Sequence, residues 1–340
     1  STFSGSDIAQ RGARTRGYGA TALVDYDMGR GWRQQWALMH FDDRFQINDF
    51  GYLSRNNLDY LHWELRKRIT DLAPDSRYSS HDWRLRVDAL DNDHGLRLRR
   101  ELRLQRESEL RNGGDESLRI NVDSAAWDDL LTRGHGALWL PSSFSASYSH
   151  SRPRQGDWGF EWEAELNAGG LAGVHRIGWE VGVEPTYFLS DALRLRAELE
   201  YGYTPSWLVW QTDNSVGEFA RRSLELEAGF DWSIDQRQEL RFKLQAIGLD
   251  AAVTGAWRVG SDGRAQAAAD VIEDFSVRNL GLQVRYRYQL APLSWLYVVY
   301  GRGGYDQDAR SDEPGRLLDD ALRLRDDEQL LVKLNYRFDI

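Results

Sequence analysis

The chain has 340 residues, with 43 Lys+Arg against 53 Asp+Glu, a formal charge of −10 and no cysteine. The acidic balance argues against a general nucleic-acid binder, and the missing cysteine excludes a disulfide scaffold or a thiolate metal site. Mean hydropathy is −0.61, and no apolar run reaches the ~20 residues of a membrane-spanning helix, so hydropathy alone describes a soluble protein.

Periodicity reverses that reading. In chain order, about sixteen segments with two-residue alternation begin near residues 18, 32, 58, 82, 95, 117, 144, 157, 175, 193, 207, 220, 237, 278, 294 and 328. Trp158, Phe160, Trp162, Ala164 and Leu166 alternate with Gly159, Glu161, Glu163 and Glu165. Leu193, Leu195, Ala197, Leu199, Tyr201 and Tyr203 alternate with Arg194, Arg196, Glu198 and Glu200. Leu224, Leu226, Ala228, Phe230 and Trp232 follow the same rule, as do Leu282, Val284, Tyr286 and Tyr288. A helix would scatter each apolar set round its circumference, whereas a strand collects it on one face.

Many of these segments run about 10–13 residues, where a soluble strand averages ~5–6 and a tilted membrane strand needs ~9–11. Trp or Tyr recurs at the ends of the apolar rows, at Trp83, Trp158, Trp179, Trp232, Tyr203, Tyr288, Trp295 and Tyr300. Amphipathic rings favour the headgroup level of a bilayer. Arg100 interrupts the row Leu96, Leu98, Leu102, Leu104, which calls for a bulge or an interface position there. No linker or composition shift divides the chain. The expected fold is one all-β domain over 1–340, a transmembrane antiparallel up-and-down β-barrel of the bacterial outer membrane. About 16 strands are visible (14–18), and Ser1–Arg16 form a leader or loop.

The last residues resemble the insertion signal of bacterial outer-membrane barrels. Lys333, Asn335, Phe338 and Ile340 occupy its positions, with Asn335 for the usual glycine and Ile340 for the usual terminal aromatic. Three longer stretches carry a family resemblance. They are Phe45-Gln-Ile-Asn-Asp-Phe-Gly-Tyr-Leu-Ser-Arg-Asn-Asn57, then Trp127-Asp-Asp-Leu-Leu-Thr-Arg-Gly-His-Gly136 with Trp139-Leu-Pro141, and Phe275 to Gly301. The chain resembles the C-terminal portion of the bacterial domain of unknown function numbered 5916. That region often follows a domain similar to carbohydrate-binding family 9, which is not visible here. The resemblance implies a membrane location and a barrel that further strands can complete; it implies no reaction.

With the C-terminus periplasmic, parity puts long outer loops at 250–277, 304–327 and 69–81, and short turns near Pro292, Ile234 and Pro205. The motif segments 43–57 and 126–143 then break the pattern. Either they form a periplasmic or lumenal plug or docking site, through Asp49, Phe50, Arg55, Asp128, Asp129, Arg133 and His135, or a strand near each is miscounted.

The expected lumen carries basic rows (Arg84, Arg86, Arg97, Arg99, Arg103, Arg194, Arg196) and acidic ones (Glu161, Glu163, Glu165, Glu225, Glu227). Such charges set solute selectivity in a water-filled pore, and arginine suits carboxylates or phosphates. The mixed signs favour neutralisation between neighbouring strands.

Catalytic patterns are weak. The seven histidines show no metal spacing, and Ser149 and His150 are adjacent strand residues that face opposite ways. Asp306, Asp308, Asp312 and Glu313 read as a solvated acidic loop before a calcium site. No metal, cofactor or nucleic acid is expected. The expected partners are outer-membrane lipid and lipopolysaccharide, the barrel-assembly machinery during insertion, and a periplasmic or surface protein. The first functional expectation is a channel or uptake pore for small carbohydrate or anionic solutes. A non-conducting barrel that anchors or docks partners comes second, and an outer-membrane enzyme third.

Overall fold

The computed structural model describes residues 16–45 and 55–338. Its strands are β1 (Gly19–Gly29), β2 (Trp32–Phe41), β3 (Leu58–Ile69), β4 (Tyr78–Asp91), β5 (Arg97–Leu110) and β6 (Asp115–Asp123). A small hairpin follows, β7 (Ala126–Asp128) and β8 (Leu138–Leu140). Then come β9 (Ser143–Gln155), β10 (Trp158–Ala168), β11 (Gly178–Ser190), β12 (Leu193–Thr212), β13 (Ser215–Ser233) and β14 (Gln238–Val259). The short β15 (Ala265–Ala267) precedes β16 (Phe275–Ala291), β17 (Ser294–Asp308), the helix α1 (Pro314–Ala321) and β18 (Asp327–Asn335).

These strands form a 16-stranded antiparallel sheet in chain order, with β7–β8 as a separate pair and β15 beside β14, off the main path. Alternation makes its two faces chemically opposite. On one, Leu65, Leu85, Leu104 and Ile120 lie opposite one another across β3 to β6. On the other, Arg66, Arg84, Gln105, Arg119, Ser147, Glu165 and Glu180 make one row from β3 to β11.

The apolar face has no protein layer over most of its extent. Trp158 is 57% exposed, Leu102 49% and Leu199 44%. Burying one such side chain is worth about 1.5–3 kcal/mol, so a whole face of them is stable only against an apolar medium. The fold is therefore an all-β transmembrane sheet of the outer-membrane barrel type, with its lipid face outward. Within the described residues it is not closed, since β1 and β18 are each paired on one side only.

Fifteen of the expected segment starts match strands of this sheet. The start near 207 does not, because β12 runs unbroken from Leu193 to Thr212, and Pro205 sits in it rather than at a turn. A register shift between Thr204 and Trp207 accommodates the proline, which has no N–H to give to the ladder. One strand too many at this point inverts every connection upstream of it.

The correction moves the motif segments. The connections at 42–57, 92–96, 124–142, 169–177, 213–214, 260–274 and 309–326 share one side, the loop side. The opposite turn side, where β18 ends, carries 30–31, 70–77, 111–114, 156–157, 191–192, 234–237 and 292–293. Residues 43–45, 55–57 and 126–143 thus lie with the long loops and away from the C-terminus, residues 46–54 being outside the described residues, while the connection expected at 69–81 as a long outer loop lies on the turn side. The loop expected at 250–277 narrows to 260–274, because β14 extends for 22 residues, twice what spanning needs.

One smaller expectation holds and two change. Arg100 does lie on the apolar face, beside a register shift at Leu90/Asp91, and both its bonds to the Asp91 carboxylate are 2.7 Å. Trp295 pairs with Gln289 and Asn335 on the polar-face parity, with the Arg287 guanidinium 4.6 Å from its ring centroid. The loop expected at 304–327 contains α1, which folds back over the apolar face. Leu317 and Ala321 of α1 are buried, and Ala321 clusters with Ala246 and Leu280.

Glycine makes that docking possible. A Cβ at Gly248 would lie 2.5 Å from the Leu318 nitrogen and 2.6 Å from the Pro314 oxygen, both backbone atoms. Gly248→Val should therefore lift α1 from β14 at a cost of about 1–3 kcal/mol. Trypsin should then cut folded protein at Arg316 and Arg323, sites protected in the parent; unchanged protection would contradict this packing.

Candidate functional site: pore wall and loop-side mouth

Cross-strand register places the expected lumenal charges on the polar face. The recesses in the sheet open on that face too. One of 730 Å³ is lined by Arg194, Arg196, Lys243 and Gln283, with Gly281, Gly301 and Gly303 leaving the space that side chains would fill.

The arginines are largely engaged. Arg84 donates to Glu107 (2.9 Å), Arg86 to Asp88 (2.5 Å), and Arg103 to Asn121 (2.8 Å). Arg99 and Arg103 both reach Glu101, at 3.1 and 2.8 Å. Arg194 bonds Asp231 at 3.1 Å, while Arg196 lies 3.8 Å from Glu184 and 3.7 Å from Glu227. The charge neutralisation expected from mixed rows is what β1–β6 display.

The β10–β13 region is different. Glu161 lies opposite Glu184, Glu165 opposite Glu180, Glu198 opposite Glu227, and Glu200 opposite Glu225. Among the described residues, no ion pair involves Glu163, Glu165, Glu180, Glu198 or Glu200. Carboxylate oxygens of Glu163, Glu180 and Glu200 come within 4.8 Å of one another. Like charges directly opposed destabilise a sheet, so this wall costs stability.

Glu180, Glu184, Glu198 and Glu200 were not among the expected lumenal residues. Their two-residue spacing around Gly182 and after Arg196 is the signal that could have found them. The acidic loop residues of 304–327, by contrast, are dispersed onto arginines. Asp306 pairs with Arg278 (3.0 Å), Asp308 with Arg310 (2.8 Å), Asp312 with Arg316 (3.2 Å) and Glu313 with Arg222 (3.1 Å).

The two motif segments meet at the loop-side mouth. Arg55 donates to both carboxylate oxygens of Asp129, one bond being 2.9 Å, although 74 residues separate them. Asp128 accepts the Leu130 and Leu131 N–H groups at 2.9 and 2.8 Å, which shapes the β7–β8 turn. Arg133 lies 4.4 Å from the Trp210 ring centroid, and the His135 ring stacks on Trp210 at 6.5 Å. Asp49 and Phe50 lie outside the described residues.

Trp139 of β8 shows how far this hairpin reaches. Its N–H donates to the Gly263 oxygen at 2.8 Å, while the Arg97 guanidinium lies 5.6 Å from its ring centroid. Arg97 begins β5, and Gly263 follows β14, seven places away in the sheet order. At ~4.8 Å per strand that is about 34 Å along the wall. One residue touches both, so the sheet curls and the hairpin lies as a chord across its loop-side end. Leu138 seals the far contact against Val216 and Val259.

At the C-terminus, Lys333 pairs with Tyr297 and Asn335 with Trp295, while Phe338 is 77% exposed and packs edge-on against Tyr336. Ile340 lies outside the described residues.

Burial alone would raise the Asp129 pKa, but hydrogen bonds and charge from Arg55, with Asn92, hold its carboxyl below the usual range. A carboxyl depressed on folding contributes stability above its unfolded value and loses it as pH falls through the folded one. The link should thus hold at neutral pH, begin to weaken as pH falls past the ordinary carboxyl value of about 3.9, and be lost only below the lowered folded value. Arg55→Ala should remove roughly 1.5–3 kcal/mol of anchoring at neutral pH. Electron spin distances between labels at Leu130→Cys and Ser261→Cys should broaden in that variant and, in the parent, only in acid. Broadening at pH 6 in the parent would contradict the assignment.

Structural similarity is confined to the fold. The chain is similar to the FrpB iron transporter of Neisseria meningitidis in two variants. The F5-1 apoprotein gives a TM-score of 0.41 at 10% identity over 95% of this chain and 64% of that one. The F3-3 variant gives 0.42 at 10% identity over 95% and 65%. The chain therefore spans just under two thirds of the FrpB chains it matches. It is also similar to the NanC porin, with a TM-score of 0.24 at 10% identity over 60% of this chain and 81% of that one. No curated protein matches the chain. The description that does match, over residues 1–340, is the domain of unknown function DUF5916, and the chain belongs to that family.

Proposed function

We propose that this chain forms the wall of an outer-membrane pore or uptake channel whose lumen favours cationic or neutral polar solutes. The observation that carries the reading is the acidic wall of β10–β13 on a face whose arginines are mostly engaged elsewhere. Nearby carboxylates in a water-filled passage attract cations and repel anions. The anionic solutes expected from the arginine rows fit this charge placement poorly. Neutral carbohydrate stays compatible with it.

The turn side is assigned to the periplasm and the loop side to the exterior, which follows the usual rule of short inner turns and long outer loops. Lipid and lipopolysaccharide then meet the apolar face, and the assembly machinery reads the β18 end. A passage is a better reading than an enzyme, since Ser149 pairs with Glu163 on the polar face while His150 pairs with Trp162 on the apolar one.

The chord made by β7–β8 favours one second reading, a barrel closed at its outer mouth that docks a surface partner. Single-channel recording of protein extracted folded from outer membranes separates the two. The pore reading expects stable conductance steps that grow when residues 125–141 are replaced by a short Gly-Ser linker. Silence before and after that replacement, from a heat-modifiable barrel, would overturn the pore and favour docking.

A further inference from the structure

The main path of the sheet runs β1, β2, β3, β4, β5, β6, β9, β10, β11, β12, β13, β14, β16, β17, β18, every neighbouring pair being antiparallel. Among the described residues that is an odd number of spanning strands, so β1 and β18 run in the same direction. The sixteenth member, β15, is three residues long and lies beside the loop-side end of β14, where it does not span.

Direct closure would thus require a parallel β1–β18 seam in a wall otherwise wholly antiparallel. Bacterial single-chain outer-membrane barrels have an even number of antiparallel strands. A second copy does not repair the parity. Two copies related by an axis along the pore would set β18 beside β1 of the next copy, again parallel. Joining β1 to β1 and β18 to β18 gives antiparallel seams, but the axis then lies in the membrane plane and inverts one copy's loops.

Leaving the edges bare is excluded on energy. Each free strand edge presents a row of unpaired N–H and C=O groups, and each such group in hydrocarbon costs several kcal/mol. Both edge strands carry the two-faced pattern of interior ones. Ala20, Ala22, Val24 and Tyr26 of β1, and Leu330, Val332 and Leu334 of β18, share the apolar parity of the rest of the wall.

We propose that the edges of β1 and β18 are pairing surfaces for polypeptide outside residues 16–338 that supplies an odd number of antiparallel, two-residue-periodic strands, making an even barrel. The inference rests on the membrane-spanning reading above but not on conduction, so a silent barrel would leave it standing.

The test is site-specific photocrosslinking in intact outer membranes, with p-benzoylphenylalanine at Leu23 of β1 or at Leu331 of β18, and adducts identified by mass spectrometry. Position Val299, which has Leu331 opposite it on β18, is the positive control. The proposal expects both edge probes to join peptides outside residues 16–338. It is overturned by an adduct between β1 and β18, by one between the same edge of two copies, or by edges that react with no peptide while the control does.

Discussion

Everything in this structure depends on the cost of an unpaired backbone group in hydrocarbon. Water can satisfy the N–H and C=O groups of a soluble sheet's edge, whereas lipid cannot. A chain with no long apolar helix meets this constraint by pairing strand to strand, and strict two-residue alternation then decides what each face meets. Leu65, Leu85, Leu104 and Ile120 cross four strands on the lipid side, while Arg84, Gln105 and Arg119 form the neighbouring rung on the other. The low mean hydropathy is the average of these two faces.

The polar face divides into two chemistries with different consequences. In β1–β6 most of the positive groups are tied to a neighbouring acid, among them Arg33, Arg66, Arg84, Arg86, Arg99 and Arg103, which stiffens the wall and offsets their charge. In β10–β13 glutamates face one another across rungs that could have held opposite charges. Such opposition is costly for a sheet, and that cost is understandable where a field inside the barrel is useful. The loop-side hairpin adds a constraint of another kind, because Trp139 and the Arg55–Asp129 pair tie distant parts of the wall together across the mouth. Passage through the barrel must go round that chord or wait for it to move.

Sequence periodicity revealed the strands because the lipid demands it residue by residue. It failed at Pro205, where a bulge lets one strand continue through a residue that elsewhere marks a turn. That single miscount carried the expected positions of both motif segments to the opposite side. The expected lumenal charges were legible from alternation alone, but their partners were not, since Arg55 finds Asp129 74 residues away and only the folded mouth joins them. Helix α1 was hidden for a similar reason. Its docking depends on Gly248 in β14, which local sequence shows merely as a gap in an apolar row.

In the pore proposed above, the acidic wall sets the preference of the passage. The most direct measurement is the reversal potential of single channels in a potassium chloride gradient, compared between the parent and a Glu163→Gln, Glu200→Gln, Glu225→Gln triple variant. Cation selectivity is expected in the parent, with a reversal potential moved towards zero in the variant. Anion selectivity in the parent, or selectivity unchanged by removing those three charges, would contradict it.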